Sequence, residues 1–142
     1  MTIARILRGR DDAILSVQVD TPVGDVVRLL AGNRIGAVPV MDGQRVAGIL
    51  SERDLVYRLA EDGAALLERT AGDVMTAPPI TVEADMPVLA ALSLMTRRRI
   101  RHLPVVEGGR MTGFVSIGDL VKHRIDGIEA EATAMRDYIS AG

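Results

Sequence analysis

IGAVPVMDGQRVAGILSERDLV, residues 35–56, lies over IRHLPVVEGGRMTGFVSIGDLV, residues 100–121, without a gap. The paired prolines Pro39 and Pro104 stand 65 residues apart, as do Gly43 and Gly108, Arg45 and Arg110, Gly48 and Gly113, Ser51 and Ser116, and Asp54 and Asp119. Upstream, Pro22-Val23 matches Pro87-Val88 in the same register, so the agreement runs over some 35 positions. A period of this kind is the mark of one supersecondary unit used twice.

Each copy reads in the order β-α-β-β-α. A short β-rich segment, residues 14–19 or 80–83, is followed by a helix that opens at Pro22 or Pro87, proline being favoured at the first helical position. Apolar residues recur at helical spacing, Val23, Val26, Val27 and Leu30 in one copy and Val88, Ala91, Leu92 and Met95 in the other, which predicts core-facing stripes. Two strands follow, residues 37–41 and 46–50 through Asp42-Gly43, and residues 102–106 and 111–115 through Gly108-Gly109. Ser51 or Ser116 caps the next helix. A half of about 60 residues is marginal alone, so the two should pack around a pseudo-twofold axis. Residues 61–72 read as a helical extension and linker. The organisation expected is a first unit over 1–68, a second over 69–125 and a helical extension over 126–142, in a mixed α/β chain of the α+β kind.

Composition narrows the function. The chain of 142 residues is 48% hydrophobic and 25% charged, well away from the low-hydrophobicity signature of disorder. A net charge of −2 lacks the positive field that carries most nucleic-acid affinity, and Tyr57, Phe114 and Tyr138 are too few to form a platform for exposed bases. Absence of cysteine removes disulfides, thiol catalysis and thiolate metal sites, and gives no reason to expect an oxidising compartment. The opening MTIARILRGRDD has no apolar run suited to a signal peptide, and no stretch reaches the ~18 apolar residues of a membrane span. The expectation is a cytoplasmic protein without catalysis, since His102 and His123 form no metal or triad pattern and the glycines sit in hairpin turns.

Both copies resemble cystathionine β-synthase (CBS) domains. The shared features are Val38-Pro39-Val40 with Gly48 and SERD, and Leu103-Pro104-Val105 with Gly113 and SIGD; Gly72-Asp73-Val74-Met75-Thr76 is similar to the "DVM" lead-in common before such a domain. The resemblance covers roughly residues 5–125 and implies a tandem pair, a Bateman module, standing without an attached enzyme or channel.

A serine at a strand-to-helix junction and an aspartate three residues on share one helical face. The aspartate offers two acceptor oxygens to a ribose diol, and the serine hydroxyl with the first helical N–H groups favours an anion. The competing reading is a capping box that needs no ligand, although glutamate is the better partner there. The resemblance implies ribose-phosphate contact for Ser51 and Asp54 and for Ser116 and Asp119. It also implies an apolar wall for adenine at Ala37, Val38 and Pro39 in one half and Leu103 and Pro104 in the other, positions that serve equally as core strand.

The run Arg97-Arg98-Arg99-Ile100-Arg101-His102 faces only Arg34 in the first copy. In the resemblance, Arg101 and His102 stand where basic residues reach phosphates, with Lys122 a further candidate. The expected phosphate site therefore joins Arg101 and His102 to Ser116 and Asp119, while Gly36 leaves the first site roomier and less charged. The ligands implied are AMP, ADP or ATP, with NAD or S-adenosylmethionine as adenosine-bearing alternatives.

Val121, Ile125, Ile128, Ala132, Met135 and Ile139 recur at alternating spacings of four and three in a helix expected over 119–140. Such a seam packs against the chain's own body or against a second copy. A homodimer that regulates a separate, unidentified protein effector is expected; an interaction scaffold with vestigial sites is the rival.

Overall fold

The computed structural model describes residues 1–10 and 13–141; Asp11, Asp12 and Gly142 lie outside the described residues. The chain runs α1 (Ile3–Arg8), β1 (Val17–Gln18), α2 (Val23–Asn33), β2 (Ala37–Asp42), β3 (Arg45–Ser51), α3 (Glu52–Asp62), a 3-10 turn (Gly63–Glu68), α4 (Ala71–Val74), α5 (Val88–Arg98), β4 (His102–Glu107), β5 (Arg110–Ser116) and α6 (Ile117–Ala141). The mixed α/β repeat expected from the sequence is present, with β1-β2-β3 in one sheet and β4-β5 in the other.

Differences in detail have local causes. Helices α2 and α5 begin one residue after their prolines, which act as extended cap residues, because the N–H groups of Val23 and Val88 pair with Arg69 O (2.8 Å) and Met1 O (3.1 Å). The first hairpin turns on Gly43-Gln44 rather than Asp42-Gly43, with Gly43 at φ +66°, the left-handed region that glycine enters without a Cβ penalty. The β-rich segment at 14–19 shortens to β1, parallel to β2, and that at 80–83 to a single bridge between Val82 and Val105. Pro78 and Pro79 supply no N–H to extend it. Val27 is exposed, so the α2 stripe is narrower than its spacing predicts.

The described residues build two cores, one in each half. Val23, Val26, Leu30, Val38, Val40 and Leu50 build the first, and their repeat partners Val88, Ala91, Met95, Leu103, Val105 and Val115 the second. The lead-in segments cross over. Ile3 of α1 is fully buried in the second core, while Leu66, Ala71 and Val74 complete the first. Antiparallel bridges Thr2–Pro87 and Pro22–Thr70 fasten the two crossings in the same way. Residues 61–72 are thus a packed part of the fold as well as a connection. No helix of the described residues is long and apolar enough to cross a membrane.

Candidate functional site

Strands β3 and β5 touch where the halves meet, and both Ser-x-x-Asp pairs sit beside that seam. Each pair closes a capping box. Ser51 donates its N–H to Asp54 Oδ2 (2.9 Å) and its hydroxyl accepts the Asp54 N–H (3.3 Å). Ser116 donates to Asp119 Oδ2 (2.7 Å) and accepts from the Asp119 N–H (3.1 Å). Aspartate therefore does what glutamate does in the common form of the motif. The carboxylate is held at the start of α3 or α6, within reach of a cavity.

The first cavity, about 520 Å³, is lined by Ser51, Asp54 and Gly36 from the first half and by Arg99, Ile100, Arg101 and His102 from the second. Arg53, Glu52 and Thr76 add polar groups, and Ile49, Pro78, Pro79 and Ile80 an apolar wall. Three arginines face two carboxylates, an excess of positive charge suited to an anion. Asp54 Oδ1 accepts the Thr76 hydroxyl (2.9 Å) and Oδ2 the Ser51 hydroxyl (2.9 Å). Gly36 keeps the floor open, since a Cβ there would lie 2.5 Å from Glu52 Oε1.

Arg99 is delivered by the end of α5. It takes a left-handed conformation, φ +55°, matched by Arg34 at φ +51° after α2. The N–H of Ile100 closes back on Met95 O (3.0 Å), a helix-ending turn in which glycine is usual. A non-glycine residue in this region carries strain of order 1 kcal/mol. Arg53 Nη1 contacts Arg99 O at 3.5 Å, tying α3 to this turn.

The second cavity, about 490 Å³, contains Ser116, Asp119, His102 and Phe114 with Ile35 and Ala37 from the first half and Leu7 and Arg10 from the N-terminal segment. Arg10 Nη2 lies 2.6 Å from Asp119 Oδ2 and Nη1 donates to Phe114 O at 2.8 Å. Burial works to raise the Asp119 carboxyl, but the Ser116 N–H and the Arg10 guanidinium hold it below the usual aspartate value.

The expected phosphate site is consequently divided. Arg101 lines the cavity of Ser51 and Asp54, away from Ser116 and Asp119, so room at Gly36 and charge at Arg101 occur together. His102 borders both cavities, stacks on Phe114 with ring centroids 5.5 Å apart, and is pushed below the ordinary imidazole value by burial. Burial thus disfavours its charged form where a cation was expected. Val38 and Leu103 are fully buried in the cores, and Pro39 and Pro104 border neither cavity; of the predicted adenine wall only Ala37 lines one. Lys122 borders neither cavity. Arg10, Arg53, Arg99 and Thr76 were not singled out by the motif. Arg99 had a signal in the arginine run; Thr76 followed the lead-in motif; Arg10 had none.

The family model for the CBS domain matches residues 10–61 and 71–126. The chain belongs to the CBS-domain family. A mitochondrial CBS domain-containing protein of Arabidopsis thaliana, CBSX3, is 33% identical over 99% of this chain and 73% of its own length. A solved protein with CBS domains from Burkholderia ambifaria is 37% identical, covers 89% of this chain and 95% of that one, and has a TM-score of 0.82. The match to inosine-5'-monophosphate dehydrogenase of Korarchaeum cryptofilum, 33% identical, covers 75% of this chain but only 21% of the enzyme. Two CBS structures share the fold at 23% identity and TM-score 0.75. CBSX2 was solved with AMP, covering 88% of this chain and 97% of its own, and a CBS-domain pair with 5'-methylthioadenosine and S-adenosyl-L-methionine, covering 91% and 98%.

Proposed function

We propose that this CBS pair is a non-catalytic regulatory module that binds an adenosine nucleotide, AMP, ADP or ATP, in the first cavity and passes the change to a separate protein. The observation that carries the reading is the meeting of Asp54 and Ser51, at the start of α3, with Arg99 and Arg101 from the other half in a space of about 520 Å³, the size range of small-molecule sites. Asp54 would accept the ribose hydroxyls in exchange for the Thr76 hydroxyl. Ser51, the α3 N–H groups and the arginine forks would take the phosphates. Ile49, Ile80, Ile100 and the two prolines offer the base an aliphatic slot. The adenosine ligands of two fold relatives support the class of ligand, and also leave S-adenosylmethionine, like NAD, as a comparator.

Regulation follows from where the cavity lies. A ligand shifts an equilibrium only if it binds one state better. One held by Asp54 on one half and Arg101 on the other favours the arrangement that brings these together. The exposed seam of α6, with Ile125 about half exposed, is assigned to a homodimer contact, and the cysteine-free chain to the cytoplasm.

A scaffold with vestigial sites is the second reading, favoured by the fact that both capping boxes are complete without ligand. Calorimetry with ATP, AMP, NAD and S-adenosylmethionine separates the two. Loss of a charge-assisted hydrogen bond worth about 1.5–3 kcal/mol should weaken ATP binding roughly 10- to 100-fold in Arg101→Ala. Absence of binding by all four ligands would leave the scaffold, whereas unchanged affinity in both Arg101→Ala and Asp54→Asn would remove the first cavity as the site.

A further inference from the structure

We infer that Arg10 is an internal ligand of the second cavity, occupying the aspartate that a ribose would need, so that this site is filled by the chain itself until Arg10 is withdrawn. The inference rests on the proposed reading of the Ser-x-x-Asp pair as a ribose contact.

The two aspartates are treated alike by their own helices and differently by the segments that cross over them. In the first half, Met75 and Thr76 pass above Gly48, where an added Cβ would come within 2.6 Å of Met75 Sδ and 2.7 Å of Thr76 O. In the second, α1 passes above Gly113, where a Cβ would come within 2.7 Å of Leu7 Cδ1. Each crossing segment then gives its aspartate one more donor. For Asp54 it is the Thr76 hydroxyl on Oδ1, 2.9 Å away. For Asp119 it is Arg10, on the same Oδ2 that already accepts the Ser116 N–H.

These donors differ in what a nucleotide must do to replace them. A ribose hydroxyl exchanges with a threonine hydroxyl like for like. Removing a guanidinium replaces an ion pair, in which both partners are charged, by a hydroxyl-to-carboxylate hydrogen bond in which only the acceptor is. Arg10 is also fastened at a second point, to Phe114 O, so one side chain spans the aspartate and the strand edge beside it. With about a third of each side chain exposed, solvent screens the pair in part, which keeps the contact exchangeable. Among the described lining residues the second cavity carries one arginine, Arg10, whereas the first carries three, so a second site freed of Arg10 would hold ribose and base rather than phosphates. The module therefore takes one nucleotide per chain, and Arg10 sets that number.

Calorimetric titration of the full chain with adenosine, which needs no cation at the second site, tests this. The wild type is expected to bind one equivalent, Arg10→Gln two, and Arg10→Gln with Asp119→Asn one again. Failure of the first-cavity reading would show separately, as no binding by the wild type and one equivalent by Arg10→Gln. Two equivalents in the wild type, or no gain in Arg10→Gln, overturns the inference; weaker total binding in Arg10→Gln would instead make Arg10 a contact of the ligand and overturns it equally. Circular dichroism reports the fold of the variant. Should Arg10→Gln fail to fold, Arg10→Met, whose side chain can donate to neither Asp119 nor Phe114 O, carries the same test, and a single equivalent there overturns it.

Discussion

Replacing Gly48 by alanine should destabilise the protein far more than replacing its repeat partner Gly113, although both glycines lie in strands and neither has a positive φ. At Gly48 the new Cβ would meet the Thr76 carbonyl oxygen at 2.7 Å. That carbonyl is fixed, because Ile49 donates to it (3.0 Å) while the Thr76 N–H donates to Ile49 O (2.8 Å). Relief requires moving backbone and loosening this bridge. Overpacking costs about 1–3 kcal/mol and a lost hydrogen bond about 1 kcal/mol, which sums to roughly 2–4 kcal/mol. At Gly113 the clash is with the end of the Leu7 side chain, which can rotate, and a cost of about 1 kcal/mol is expected. For a chain of this length about 3 °C of melting temperature corresponds to each kcal/mol, so thermal melts should fall by about 6–12 °C for Gly48→Ala and about 3 °C for Gly113→Ala. Displacing Thr76 also removes a donor from Asp54, so Gly48→Ala should alter ATP binding by the first cavity. Equal melting temperatures for the two variants would refute the argument from rigid and flexible neighbours.

Acidification should destabilise the fold through His102. Burial sets its folded value below that of the unfolded chain, with Asp119 and Glu52 opposing and Arg101 assisting. The unfolded state then binds the extra proton first, and stability is lost as pH falls below about 6.5. Melting temperature between about pH 7.5 and pH 5.5 should drop more for the wild type than for His102→Gln; parallel profiles would exclude this residue as the cause. The α6 seam gives a further test. Val121, Ile125, Ile128, Met135 and Ile139 are all exposed on the chain, and light scattering at micromolar concentration should report a dimer that Ile128→Asp converts to monomer. A monomeric wild type would remove the homodimer assignment.

The repeat was legible because its two copies share one register, and with it the hairpins, the paired cores and the caps at Ser51 and Ser116. The equivalence of the lead-ins was not. Thr2-Ile3 corresponds to Thr70-Ala71 at an offset of 68 residues against 65 elsewhere, and the short helices that follow share little sequence. The position of the aspartates was readable from local helix geometry, since a cap is a matter of three residues. Which cation meets which aspartate was not, because Arg101 belongs to the second repeat by sequence and to the first cavity in space. Periodicity reports which face of a strand is buried but not what lies across a seam, and so Val38 and Leu103 were legible as core residues while the residues that line each cavity were not.

The crossed lead-ins bear on how such a module can move. Each core is closed by the lead-in of the other repeat, Ile3 in the second core and Leu66, Ala71 and Val74 in the first. Hinged opening would draw each repeat away from the core that seats its own lead-in, whose four side chains are fully or nearly fully buried. Rotation of the halves about the seam leaves both in place. On the proposed function, the chain would act as a torsional element in which a bound nucleotide is expressed as a small change of twist, and whatever reads it would have to be sensitive to angle.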